Sequence, residues 1–176
     1  MLIILDRDGV INEDSTNYIK SPDEWLVIPG SLEAIAQLNK AGHTVAIATN
    51  QSGITRGLYS EQILAAIHQK MKTELAKVGG HIDAIFYCPH RPEDNCDCRK
   101  PKPGLLLQIA KKFHANLKEA VMVGDSLKDI QAAQSVGCPV LLVKTGNGAS
   151  TFQQVTHIPV FPNLAAAVQY ILNTYP

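Results

Sequence analysis

The stretch Leu2-Ile3-Ile4-Leu5-Asp6-Arg7-Asp8-Gly9-Val10 decides how the rest of the chain is read. Its apolar run is unbroken by a polar residue. That is the pattern of a strand buried on both faces of a parallel sheet, not of a strand with one wet face. Two carboxylates, one residue apart, then leave the carboxyl end of the strand and enter a glycine turn. Carboxylates so close repel one another and desolvate badly, so a cation is needed between or beside them. The motif points to a divalent-metal site that contains a nucleophilic or acid/base carboxylate.

Outward from this strand, short β-branched runs alternate with amphipathic stretches. Strands are expected at 2–6, 44–48, 83–87, 120–123 and 139–143, with a weak last one at 160–161. Helices are expected at 31–41, 60–78, 104–114, 128–136 and 163–172. In the first of these Leu32, Ile35, Ala36 and Leu38 share a face and Gly42 stops the helix. In the second Ser60 is the N-cap, Ile63, Leu64, Ile67, Met71 and Leu75 are the apolar positions, and Gly79-Gly80 closes the end. This alternation predicts an α/β, doubly wound, mainly parallel sheet with helices on both faces. Residues 1–176 read as one domain, without repeats or linkers, and nothing between the first two strands is long enough to form a separate lid. The long irregular segments 9–29, 50–59 and 89–103 are expected to be functional.

Composition excludes several partner classes. Lys+Arg and Asp+Glu both number 16 in the 176 residues, so no bulk charge favours a nucleic acid. No apolar run approaches the roughly 20 residues of a membrane span. The chain enters a strand at once, with no leader-like segment, so a soluble cytoplasmic protein is expected. The four cysteines are uneven: Cys88, Cys96 and Cys98 are clustered and Cys138 stands alone. In that compartment a cluster reads as metal ligands rather than disulfides.

Ligands of doubly wound sheets lie outside the carboxyl ends of the strands. Here those ends deliver Asp6 and Asp8, then Thr49-Asn50-Gln51-Ser52-Gly53, then Cys88, then Gly124-Asp125-Ser126 with Asp129 beyond. Each has an ordinary reading alone. Asp125 would cap a helix, residues 50–53 would form a turn, and Arg99, Lys100 and Lys102 would be a solvated basic loop. Asp129 would be a solvated or supporting carboxylate. Converging on one rim, they suit phosphoryl transfer. A carboxylate attacks phosphorus, Mg2+ offsets the repulsion, hydroxyl and N–H groups hold the phosphoryl oxygens, and a lysine neutralises developing charge. A second carboxylic acid protonates the leaving oxygen and then activates water.

Asp6-x-Asp8-Gly9, Thr49, a lysine before a helix, and Gly124-Asp125-x-x-x-Asp129 resemble, in order, the four motifs of the haloacid dehalogenase-like phosphohydrolases. The resemblance covers about residues 2–146. It implies Asp6 as nucleophile, Asp8 as general acid/base, Thr49 as the phosphate-binding hydroxyl and Lys100 as the motif lysine. It also implies Mg2+ held by Asp6, the backbone carbonyl of Asp8 and Asp125.

Cys88-Pro89-His90-x5-Cys96-Asp97-Cys98 has the ligand types of a tetrahedral Zn2+ site. Four protein ligands leave no open position, so the zinc reads as structural, stiffening the loop that leads into Arg99-Lys100-Pro101. His43, His68, His81, His114 and His157 are expected to be surface or helix histidines, and Cys138 a buried strand-edge thiol. This loop makes the chain resemble two nearly capless, zinc-bearing families: the D-glycero-D-manno-heptose 1,7-bisphosphate 7-phosphatases and the histidinol-phosphate phosphatases. Tyr18-Ile19-Lys20-Ser21-Pro22-x-Glu24-Trp25, Pro29-Gly30-Ser31 and Thr49-Asn50-Gln51-Ser52-Gly53-Ile54-x-Arg56-Gly57 resemble the heptose enzymes.

The heptose resemblance implies a Mg2+-dependent sugar bisphosphate phosphatase acting in lipopolysaccharide-core precursor synthesis. Arg56, Arg99 and Lys100 supply positive charge for two phosphates, and arginine can grip phosphate bidentately. Asn50, Gln51, Ser52, Arg56 and Arg99 are the expected substrate-binding residues, with Asn17, Tyr18 and Lys20 as further candidates. Histidinol-phosphate phosphatase, and a non-catalytic zinc-loop scaffold, remain the alternatives at this point. A monomer that binds neither nucleic acid nor membrane is expected.

Overall fold

A computed structural model describes residues 1–175. Six parallel strands form one sheet in the order β3-β2-β1-β4-β5-β6. They are β1 (Leu2–Leu5), β2 (Thr44–Asn50), β3 (Ala84–Cys88), β4 (Val121–Gly124), β5 (Val140–Val143) and β6 (Val160–Phe161). The helices are α1 (Ser31–Lys40), α2 (Glu61–Lys77), α3 (Gly104–Phe113), α4 (Leu127–Ser135), α5 (Gly148–Phe152) and α6 (Leu164–Thr174). Because strand side chains alternate between faces, the opening run feeds two cores. Ile3 and Leu5 pack under α1, α2 and α6 with Leu38, Met71 and Val168. Leu2 and Ile4 pack under α3 and α4 with Leu106, Ile109 and Ile130. Both faces of β1 are therefore dry, which is why its four residues are all apolar.

Register sets the site. Leu5 lies opposite Ile47 and Val123, so β1 and β4 end within a residue of each other while β2 runs three residues farther along the same rim. Asp6 N–H donates to Val123 O (3.0 Å), which holds the exit of β1 against β4. β2 runs two residues beyond the expected 44–48 because Thr49 and Asn50 pair with Tyr87 and Cys88. β4 likewise takes in Gly124, paired with Leu142. Other boundaries differ from expectation by one or two residues at the ends of elements. The short α5, and 3-10 turns at Pro22–Glu24, Pro92–Asp94 and Leu117–Glu119, have too few residues to show a period in the sequence.

Segment 9–29 is not an open loop. Val10, Ile11, Ile19, Trp25 and Ile28 are buried in it. Lys70 of α2 clamps it from outside, donating to the carbonyls of Pro22 (2.7 Å) and Trp25 (3.1 Å) with its ammonium over the Trp25 ring. His43 departs from the surface or helix position expected of it. It is buried just before β2, neither ring nitrogen has a hydrogen-bond partner among the described residues, and burial lowers its pKa. His68 lies on α2, but on its buried side. His81 and His157 are exposed, and His114 closes α3. Cys138 is buried immediately before β5.

Candidate active site and metal loop

The β1 exit turn is built by a left-handed glycine. Gly9 has φ +81°, and a side chain there would strike the Asp125 carboxylate. Gly146, φ +56°, packs against Gly9 and approaches the same carboxylate oxygen. The two glycines thus let the backbone close in on Asp125.

One oxygen of each of these carboxylates is anchored and the other is left free. Asp6 Oδ1 accepts from Arg7 N–H (2.7 Å) and lies 3.1 Å from Lys100 Nζ. Asp125 Oδ2 accepts from Asn147 N–H (2.7 Å) and from its side-chain amide (3.2 Å). Among the described residues no donor reaches Asp6 Oδ2 or Asp125 Oδ1. Asp129 is wholly buried, so it is not solvated. Its Oδ1 meets Lys100 Nζ at 2.6 Å, and its Oδ2 takes the N–H of Asp125 (3.2 Å) and the N–H and hydroxyl of Ser126. Asp129 therefore supports the site rather than facing it.

Electrostatics follows from this crowding. Burial pushes the Asp6 carboxyl well above its usual range, Asp129 adds to that, and Lys100 opposes it. Burial, with Asp129 again second, pushes Asp125 up to about 7. Burial by itself lowers the Lys100 pKa, but Asp129 and Asp6 outweigh it and raise it above the usual lysine range. Oxygens of Asp6, Asp125 and Asp129 lie within 4.8 Å of one another. Two free carboxylate oxygens whose charge is disfavoured until a cation arrives fit a hard ion such as Mg2+.

Asp6, Lys100 and Asp125 line a cleft of 360 Å³ with Thr49, Arg99, Lys128 and Asn147. A second hollow of 210 Å³ adjoins it, lined by Tyr18, Ser52, Arg56 and Arg99 among others. Asp8 borders both. Its carboxylate takes Arg7 Nε on Oδ1 (2.9 Å) and Arg7 Nη2 on Oδ2 (3.1 Å). Asn12 donates to Oδ1 (2.9 Å) and Gln51 to Oδ2 (3.1 Å).

Farther along the rim, Cys88, His90, Cys96 and Cys98 converge. Cys88 Sγ is 3.5 Å from Cys96 Sγ and 2.9 Å from Cys98 Sγ, and the Cys96–Cys98 separation is 3.6 Å. His90 Nδ1 lies 3.4 Å from the sulfurs of both Cys88 and Cys98. Zinc–sulfur bonds of about 2.3 Å set a tetrahedral edge of about 3.8 Å, so the cluster is near the size that Zn2+ takes. β3 supplies Cys88, and the loop supplies the other three.

A HAD-hydrolase-like family model matches residues 97–167. The D-glycero-beta-D-manno-heptose-1,7-bisphosphate 7-phosphatase of Bordetella bronchiseptica is 56% identical over 153 residues, 87% of this chain and 86% of the relative. The chain belongs to the heptose-1,7-bisphosphate 7-phosphatase family. The Pseudomonas aeruginosa member is 51% identical over 98% of both chains. The crystal structure of the B. bronchiseptica D,D-heptose 1,7-bisphosphate phosphatase, complexed with magnesium and phosphate, matches with a TM-score of 0.95. It is 52% identical over 98% of each chain. Of the two families that the metal loop leaves open, the comparisons favour the heptose one.

Membership in this phosphatase family gives the remaining geometry its context. Thr49 and Asn50 are the last residues of β2, and both line the cleft. Asn50 also forms a reciprocal clasp with the Lys100 backbone, Nδ2 to O and N–H to Oδ1, both 3.0 Å. Gln51 is buried and its amide is fully engaged. It donates to Thr49 Oγ1 (2.9 Å) and Asp8, and accepts from the Tyr59 hydroxyl (2.6 Å). Ser52 and Arg56 stay together in the second hollow, with Arg56 Nε 3.4 Å from Ser52 Oγ. Asn17 and Lys20 lie apart from both, in a neighbouring hollow with Tyr18. Sequence reasoning missed Asn12, Tyr59 and Asn147. Of these, Asn147 had a weak signal, since it follows β5, whose end also reaches the rim.

Proposed function

We propose that the chain is a Mg2+-dependent phosphatase that removes the C7 phosphate of D-glycero-D-manno-heptose 1,7-bisphosphate through an aspartyl-phosphate. The relatives' β anomer is the substrate form, and the pathway is the supply of activated heptose for the lipopolysaccharide core. Residues 1–176 act as one catalytic unit. The observation that carries this reading is the place of Asp8, between a cleft that holds Asp6, Lys100 and Asp125 and a hollow that holds Ser52 and Arg56.

The Asp6 carboxylate attacks phosphorus and the bond from phosphorus to the C7 oxygen breaks. Asp8 gives its proton to that oxygen as it leaves. Asp8 then takes a proton from a water that attacks the aspartyl-phosphate, which releases phosphate and restores Asp6. Thr49 holds a phosphoryl oxygen by its hydroxyl, and Lys100 faces the charge that develops there. Mg2+, when held by Asp6, Asp125 and the Asp8 carbonyl, neutralises phosphate charge and orients it. Asn50, Gln51, Ser52, Arg56 and Arg99 form the wall toward the sugar and its second phosphate, in which Asn50 and Gln51 serve by holding Lys100 and Asp8.

Phosphate release with Mg2+ tests the substrate. Turnover of the heptose bisphosphate is expected to exceed that of histidinol phosphate by about a hundredfold or more in kcat/KM. The reverse order would overturn the assignment, and no release from either ester would favour a scaffold.

Cys88, His90, Cys96 and Cys98 hold a structural Zn2+. Cys96→Ser is then expected to lose the metal and lower Tm, with activity falling because Arg99 and Lys100 follow the loop. Metal analysis beside a thermal melt checks it, and full stability and activity without zinc would refute it. No helix among the described residues is long and apolar enough to cross a membrane. One chain supplies every group used here, which supports a monomer, and cysteines that serve as metal ligands rather than in disulfides suit the cytoplasm.

A further inference from the structure

The proposed mechanism uses Asp8 but leaves unexplained the most deeply buried cation beside it. Arg7 has no solvent exposure, and among the described residues Asp8 is its one carboxylate partner. Desolvating a guanidinium costs several kcal/mol, so a surface arginine turned inward by chance would not persist. Behind Arg7 stands His68, 61 positions later on α2, with Nε2 3.2 Å from Arg7 Nη1. Its ring is buried, and burial, followed by the neighbouring Arg7, pushes its pKa down to about 3. A neutral imidazole has one acceptor nitrogen, and here that nitrogen faces the guanidinium.

We infer that the His68–Arg7 pair is a positioning device for the Asp8 carboxylate, holding it at the scissile oxygen between the two hollows. The inference rests on the acid/base role of Asp8 proposed above. His68 accepts one N–H of the planar guanidinium and so fixes its rotation. With that rotation fixed, Nε donates to Asp8 Oδ1 (2.9 Å) and Nη2 straddles the carboxylate, 2.8 Å from Oδ1 and 3.1 Å from Oδ2. Gln51 is backed in the same way by Tyr59, so the donors on both oxygens are themselves held. A carboxylate accepts about four hydrogen bonds, and Arg7, Asn12 and Gln51 supply that number. When Asp8 carries a proton, one contact must open toward the leaving oxygen. The neutral amides of Asn12 and Gln51 are weaker partners than the guanidinium and open first. His68 touches neither cleft, so its effect on turnover passes through Arg7.

The test uses His68→Leu, which keeps bulk and removes the acceptor, and His68→Gln, which restores an acceptor oxygen. With heptose bisphosphate and Mg2+, His68→Leu is expected to lower kcat by about tenfold to a hundredfold, as a small misplacement of a reacting group does. KM should stay within about twofold, and His68→Gln should regain most of the loss. An unchanged kcat in His68→Leu, a loss that falls on KM alone, or an equal loss in both variants would each overturn the inference. If His68→Leu does not fold, Arg7→Lys carries the test. It keeps the buried charge but loses the fork, and should lower kcat with KM held; normal kcat would count against the device. Asp8→Asn separates the two levels. Normal turnover there overturns the acid/base reading itself, whereas an inactive Asp8→Asn beside a normal His68→Leu overturns only the positioning role.

Discussion

Asp6→Asn is expected to lower phosphate release by more than about 10^4-fold while the fold survives. The amide keeps the shape and the acceptor oxygen on which Arg7 N–H and Lys100 converge, but it is no nucleophile. Stability should not fall. The folded protein raises the Asp6 pKa, mainly through burial and then through Asp129, so above the unfolded pKa the ionised carboxylate opposes folding. In metal-free protein at neutral pH, removing that charge is expected to hold or raise Tm. Phosphate assays paired with thermal melts check both statements, and near-normal turnover would refute the nucleophile assignment.

Lys100→Met is expected to be costly in both respects. The lysine is 2% exposed and bonds Asp129, Asp6 and the Ala48 carbonyl (2.7 Å). Methionine fills the volume but leaves Asp129 buried without its cation. Loss of one partner of a buried pair destabilises by about 3–5 kcal/mol. Turnover should fall by about 10^2-fold to 10^3-fold, the usual effect of losing one charge-stabilising donor. Denaturant unfolding measures the first effect. Adding Asp129→Asn to Lys100→Met should return part of the stability and none of the activity. A double variant no more stable than the single would show that the pair does not account for the loss.

The readable part of the site shares a physical origin. Asp6, Thr49, Cys88 and Gly124 each end or immediately follow an apolar run, and parallel strands in register must end at one rim. Strand periodicity plus that rule therefore suffices to collect Asp6, Asp8, Thr49 and Asp125. The Cys/His cluster proposed for zinc is legible because three of its residues lie within nine positions and the fourth ends a strand in the same segment. His68 is the contrary case. Its position on an amphipathic helix is the one that any buried residue would take, so nothing in the periodicity separates an acceptor for Arg7 from a core residue.

By itself the sequence determined the layered α/β fold, the rim on which the carboxylates gather and the residue types of both candidate metal clusters, because local patterns carry that information. Tertiary structure alone decided how the carboxylates are held. Asn147 reaches Asp125, Asn50 clasps Lys100, Tyr59 fixes Gln51 and His68 backs Arg7. Each is a hydrogen bond of a particular length and angle between residues whose separation in sequence follows no period. Only the packing of loops and α2 against the sheet brings their atoms within that reach.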